Sequence, residues 1–303
     1  MRKAWLYLLA CVTFWGWTFV ATKVCLKYVD PVELLGLRLL IGVPFLGLVI
    51  ALKRLPLTFE RRDLGAVLLG AAIIFVHLAI QAFGLKYTSA TNTGWIVGVS
   101  PLVMAVMAFI LLRERLSKAA LLGVVISTTG IVLLVSGGRL SSLNWLQSVG
   151  DWLILASTHT WALYTIVVRN ITRTHNPLAV TFAVMVPGTV GIAVYMAVQT
   201  DWVRILAMPA EGYIAMLFLS ILGLAVAHWF WQEAVSRVGA SRAGIFLYLE
   251  PLATTALAVP LLGEEFGLLA GLGGLLVLGG VYLAERGAQI AGKSKRRSAP
   301  ECP

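Results

Sequence analysis

Residues 99–115, VSPLVMAVMAFILLRER, and residues 249–265, LEPLATTALAVPLLGEE, read as two versions of one segment. At a shift of 150, Pro101 meets Pro251, Leu111-Leu112 meets Leu261-Leu262 and Glu114 meets Glu264. The match runs without a gap over 84–135 and 234–285, pairing Ala90 with Ala240, Gly123 with Gly273 and Gly130 with Gly280. Upstream, a shift of 146 aligns Trp15 with Trp161 and Asp30-Pro31 with Asn176-Pro177. The chain therefore reads as two copies of one unit, residues 1–140 and 150–290, with a basic tail at 291–303.

Composition gives the medium. Of 303 residues, 59% are hydrophobic and 13% charged, with a mean hydropathy of +0.88. A soluble domain has roughly a quarter of its residues charged, so lipid must replace water around most of this chain. A bilayer core about 30 Å thick needs about 20 apolar residues per helix. That ruler predicts an all-α polytopic membrane protein with ten transmembrane helices. They lie near 4–24, 33–52, 64–85, 89–112, 118–136, 150–168, 178–198, 212–235, 240–262 and 267–284. The first is expected to be a span and not a cleaved signal, being too long for an h-region and carrying Trp5, Trp15 and Trp17. Cys11 and Cys25, about 21 Å apart on one helix, cannot bridge.

With residue 1 placed inside, 18 lysines and arginines fall on that side and 5 on the other, with Arg38 inside a span. The positive-inside rule then places both termini in the cytoplasm, as an even number of spans requires. The charge of +10 is thus a cytoplasmic rim facing lipid headgroups, and it excludes nothing but the inference of a nucleic-acid partner. Because five is odd, the second unit starts on the opposite face from the first. LLRER (111–115) carries cytoplasmic arginines, and LLGEE (261–265), on the other side, has none. Inverted repeats of this kind typify secondary transporters, whose cargo site lies near the midplane where the repeats meet.

Two five-helix units, the Trp15–Phe19 segment of span 1, Pro101 in span 4, Glu250-Pro251 in span 9 and the leucine runs to Glu114 and Glu264 together resemble the EamA family of the drug/metabolite transporter superfamily. The aromatic residues are most similar to those of its bacterial exporters of aromatic and neutral amino acids. The resemblance implies a multi-pass protein of the bacterial-type cytoplasmic (inner) membrane that uses no cofactor. It also implies a central cavity lined by spans 1, 3, 4, 6, 8 and 9, with spans 5 and 10 packed behind. Glycines in 267–280 (GLLAGLGGLLVLGG) suit that close packing, and whether the protein is a monomer or a homodimer stays open.

Polar and aromatic residues in mid-span are the cavity candidates: Trp15, His77, Gln81, Asn92, Trp95, Trp161, Tyr164 and Trp231. His77 and Gln81 are four apart and share a helix face, as do Asn92 and Trp95. Indoles suit an apolar or aromatic side chain and attract cations at their faces. The imidazole and amides suit amino and carboxylate groups. Glu250 is the deepest charge; a charge there faces the bundle interior and marks a functional site. It stands open as a protonatable switch or as a structural charge paired with Arg38 or Lys23. Pro101 and Pro251 each remove a backbone donor, which bends the helix in both halves.

The repeat and the cavity residues predict a secondary transporter of small amphipathic metabolites, foremost aromatic and neutral amino acids, and the resemblance implies that it exports them. The alternative within transport is efflux of hydrophobic cationic drugs. HExxH, GxGD and Walker A patterns are missing from the sequence, so neither an intramembrane enzyme nor an ATP-driven pump is expected.

Overall fold

The computed structural model describes residues 2–114, 117–136, 146–262 and 271–284; Trp145, Glu264 and the tail 291–303 lie outside them. The described residues are helical, and no strand occurs among them. In chain order the helices are α1 (Arg2–Cys25), α2 (Pro31–Leu52), α3 (Arg61–Tyr87), α4 (Ala90–Leu112), α5 (Lys118–Ser136), α6 (Val149–Thr172), α7 (Pro177–Gln199), α8 (Ala210–Val238), α9 (240–262) and α10 (Gly271–Ala284). A short helix, Trp202–Leu206, joins α7 to α8. Six of these, α1 to α4, α7 and α8, are long and apolar enough to cross a membrane by length and composition; α10 and the Lys118–Leu133 stretch of α5 are shorter apolar helices.

Local chemistry sets the helix starts. Asp30 accepts from the Val32 and Glu33 amides at 2.8 and 2.9 Å, Glu33 returns the bond, and Pro31 occupies the first turn, where its missing N–H costs nothing. Asn176-Pro177 starts α7 in the same way, with Asn176 accepting from Leu178 N at 3.0 Å. Ser148 and Asp151 form the capping box of α6.

Three helices depart from regular α geometry, and each departure lies near the centre of the bundle. α4 is interrupted at Gly98–Val99, just before Ser100-Pro101. α9 tightens to 3₁₀ over Phe246–Leu249, just before Glu250-Pro251. These two interruptions lie at corresponding places in the repeat. α8 runs as a π-helix over Phe218–Val226, a widening that recurs at functional sites.

Helix packing comes in matching sets. α3 packs on α6 and α1 on α8; the first turns of α9 pack on the second half of α4, and the second half of α9 on the start of α4. Each contact has its counterpart at the repeat shift. A Cβ on Gly94 would lie 3.1 Å from Thr254 Oγ1, and one on the corresponding Gly244 would lie 2.7 Å from Met104 Cγ. At the back, α5 and α10 meet through glycines: a Cβ on Gly123 would sit 2.4 Å from the Gly280 carbonyl oxygen, and one on Gly130 2.7 Å from that of Gly273. Backbones approach this closely only where side chains are missing. Ser127 Oγ donates to Val277 O across the same seam at 3.3 Å.

Candidate functional site: a central aromatic cavity

A cavity sits where α1, α2, α3, α4, α6, α8 and α9 converge. The room it leaves for the centres of water-sized molecules is about 30 Å³, so in this conformation it is a tightly closed space. Trp15, His77, Gln81, Trp161, Arg38 and Glu250, all candidates from the sequence, line it. Thr18, Phe19, Ser100, Ser157, Thr158 and His228 line it too. Of these, Thr18 and Phe19 fall in the Trp15–Phe19 segment singled out from the sequence, and His228 opens the aromatic HWFWQ run at 228–232; the hydroxyls carry no hydropathy signal, though Ser157 and Thr158 lie one turn before Trp161.

The wall is a cluster of rings. Trp15 and Trp161, repeat counterparts on α1 and α6, meet edge to face at 4.8 Å between centroids, so they stand where the two units touch. His228 lies 5.4 Å from Trp15 and 5.5 Å from Trp161, and His77 lies 5.3 Å from Trp161. The rings are fixed by hydrogen bonds behind them. Trp15 Nε1 donates to Gly223 O at 3.1 Å, within the π-helical stretch of α8. His77 Nδ1 lies 3.0 Å from Ser157 O, and His228 Nδ1 lies 2.9 Å from Leu224 O. A carbonyl only accepts, so each imidazole carries a proton on Nδ1; in the neutral ring Nε2 is then the acceptor. His228 Nε2 is buried without a partner.

Trp231 and Tyr164 form a second layer and do not line the cavity. Both are fully buried, packed on Trp161 at 5.4 and 5.5 Å, and Trp231 Nε1 donates to Thr165 Oγ1 at 3.1 Å. Asn92 is likewise elsewhere. Its amide donates to Asp151 Oδ1 at 2.6 Å, joining the first turns of α4 and α6. Trp95 is half-buried outside the lining. Lys23 donates to Leu85 O at 2.8 Å, and it too lies off the cavity. Pro101 and Pro251 are buried beside the two helix interruptions.

Both charges in the lining are enclosed: Arg38 and Glu250 are each 4% exposed. Among the described residues they form no ion pair with each other or with any third group. The pairing of Glu250 with Arg38 or Lys23 entertained from sequence is therefore not formed in this structure. No cluster of three or more His, Cys, Asp or Glu side chains among the described residues is arranged to hold a metal.

At one end of the bundle a carboxylate ties three helices together. Glu114, just past α4, accepts from Ser241 N at 3.1 Å and Ser241 Oγ at 2.7 Å at the start of α9, and pairs with Arg169 near the end of α6. Gly239, at φ +89°, makes the turn into α9 that presents Ser241 to it.

Comparison with known proteins identifies the family. The EamA-like transporter family model matches residues 2–136 and again 148–285. "Uncharacterized transporter YyaM" of Bacillus subtilis is 26% identical over 285 residues, covering 92% of this chain and 92% of that protein. "Probable terminal-alkyne amino-acid exporter" of Streptantibioticus cattleyicolor is 25% identical over 303 residues, covering 99% of this chain and 98% of that protein. A solved structure described only as "Crystal structure of protein" superposes with a TM-score of 0.75 at 20% identity, covering 96% of this chain and 99% of that one, which establishes a shared fold. The chain belongs to the EamA-like transporter family and is a multi-pass membrane transporter of small molecules, not an enzyme.

Proposed function

We propose that this transporter exports small amphipathic metabolites, foremost aromatic and other neutral amino acids, by alternating access through the central cavity. The observation that carries the reading is the ring wall. Trp15, Trp161, His77 and His228 enclose one side of a buried space that also holds hydroxyls and an amide. Indole faces accept a flat apolar side chain at little entropic cost. The neighbouring polar atoms, among them the free Nε2 of His228, supply partners for an amino or carboxylate group. The name of the Streptantibioticus relative, an amino-acid exporter, points the same way.

Ten membrane-crossing helices in two inverted five-helix repeats, with both termini cytoplasmic in a bacterial-type inner membrane, are part of this proposal. The double family match and the paired helix contacts support it, as does the charge asymmetry of the loops. Interruptions before Pro101 and Pro251 would serve as flexing points, since both lie beside the cavity. The tie at Glu114 would hold the cytoplasmic end closed.

The test is uptake into proteoliposomes of labelled amino acids, with and without an imposed pH gradient. Saturable movement of aromatic and neutral amino acids is expected. Movement no faster than into empty liposomes would refute the cargo. One observation favours a second reading, export of hydrophobic cations: Glu250 is a buried carboxylate with no ion-pair partner among the described residues. Absence of hydrophobic-cation efflux by the unmodified protein would remove that reading, and efflux that survives Glu250→Gln would remove the part given to Glu250.

A further inference from the structure

Arg38 is the cationic charge of the cavity lining, and among the described residues it has no ion-pair partner, Glu250 in the same lining included. It lies on α2, a helix outside the set expected to line the cavity, and it is one of the residues that line the space beside the ring wall. A snorkelling arginine would show its head at the surface, but this one is 4% exposed. Its Nε is enclosed without a hydrogen-bond partner, and no described acid is within ion-pair distance. Glu33, five residues earlier on the same helix, is committed to Arg204. His77 and His228, which share the lining with Arg38, carry no negative charge.

A guanidinium stays charged, presents N–H donors in a planar fork matched to a carboxylate, and is costly to bury unpaired. The position therefore suits an anion that arrives from outside and leaves again. We propose that Arg38 receives the carboxylate of the cargo, and so selects amino acids over amines and amides of the same shape. The proposal rests on the reading of the cavity as the transport site. It adds that the cargo must carry a carboxylate, with its apolar body against Trp15 and Trp161.

The experiment compares L-phenylalanine, L-phenylalaninamide and phenethylamine as competitors for labelled L-phenylalanine in proteoliposome counterflow, for the unmodified protein, Arg38→Gln and Arg38→Lys. Parallel thermal unfolding in detergent uses 3-phenylpropionate and 3-phenylpropionamide as ligands. The unmodified protein is expected to favour L-phenylalanine over both carboxylate-free analogues by about 10- to 100-fold, the range for a charged hydrogen bond. Arg38→Gln should shrink that preference to about threefold or less, while Arg38→Lys retains part of it. A preference that persists undiminished in Arg38→Gln overturns the assignment and leaves amino-acid transport standing. If the unmodified protein moves no amino acid, the cargo reading fails and the unfolding test decides Arg38 alone. Stabilisation by the propionate but not the propionamide, lost in Arg38→Gln, upholds the anion site; equal shifts, or none from either, overturn it. If Arg38→Gln does not fold, a carboxylate preference preserved by Arg38→Lys upholds the assignment, and its loss there overturns it.

Discussion

Replacing Glu114 by glutamine is expected to loosen one end of the bundle. The carboxylate receives the amide and hydroxyl of Ser241 at 3.1 and 2.7 Å and pairs with Arg169, so one side chain binds α4, α6 and α9 together. Hydrogen bonds to a charged group contribute about 1.5–3 kcal/mol. Glu114 and Arg169 side chains are 20% and 14% exposed, and the amide oxygen of glutamine still accepts from Ser241. Both facts reduce the loss to about 1–2 kcal/mol, a factor of roughly 5–30 in the opening equilibrium. With Cys302 replaced by serine, Ser100→Cys places a thiol in the cavity lining, against a background in which Cys11 and Cys25 are free but buried. On the proposed topology, its rate of modification by a membrane-impermeant maleimide in inside-out vesicles reports opening of the end that carries Glu114. Adding Glu114→Gln should raise that rate about 5- to 30-fold and should not raise it in right-side-out vesicles. An unchanged rate, or an equal rise from both faces, would refute the reasoning that this tie closes one end.

Two further outcomes follow from packing and from the ring wall. His77→Ala removes a ring 5.3 Å from Trp161 and its bond to Ser157 O; transport should fall severalfold at low cargo concentration while the amount of folded protein, read by size-exclusion chromatography, holds. Gly123→Leu would drive a side chain into the Gly280 carbonyl, 2.4 Å from the new Cβ. The cost should be about 1–3 kcal/mol, typical of overpacking, and a melting temperature unmoved by this change would disprove the close α5–α10 contact.

The positions of the helices were legible because hydropathy and caps act locally: Asp30-Pro31 and Asn176-Pro177 start α2 and α7 where a cap and an N1 proline should. The repeat carried further, since counterparts that touch must lie where the two units meet, and Trp15 and Trp161 touch. Partners across helices were not legible. Asn92 and Trp95 share a face, but a single sequence does not say that Asp151 waits opposite Asn92 and takes its amide. Trp231 and Tyr164 point inward as expected, yet stand one layer behind Trp161. Arg38 looked like a partner for Glu250, but spacing along a chain does not give the distance between two helices, and in the structure both are without an ion pair among the described residues. The contributions of Thr18, Ser157 and Thr158 were hidden for another reason. Each hydroxyl bonds a carbonyl of its own helix, so they pass as ordinary helix residues until the cavity is seen.

The central claim, that cargo occupies the space between Trp15, Trp161, His77 and Glu250, is tested most directly by protection. Ser157→Cys puts a thiol in the cavity lining, one turn from Trp161. L-phenylalanine is expected to slow its alkylation, half-maximally at the concentration that half-saturates transport, while leaving a thiol placed at exposed Val198 unprotected. Alkylation at an unchanged rate under saturating cargo, in a variant that still transports, would contradict the account.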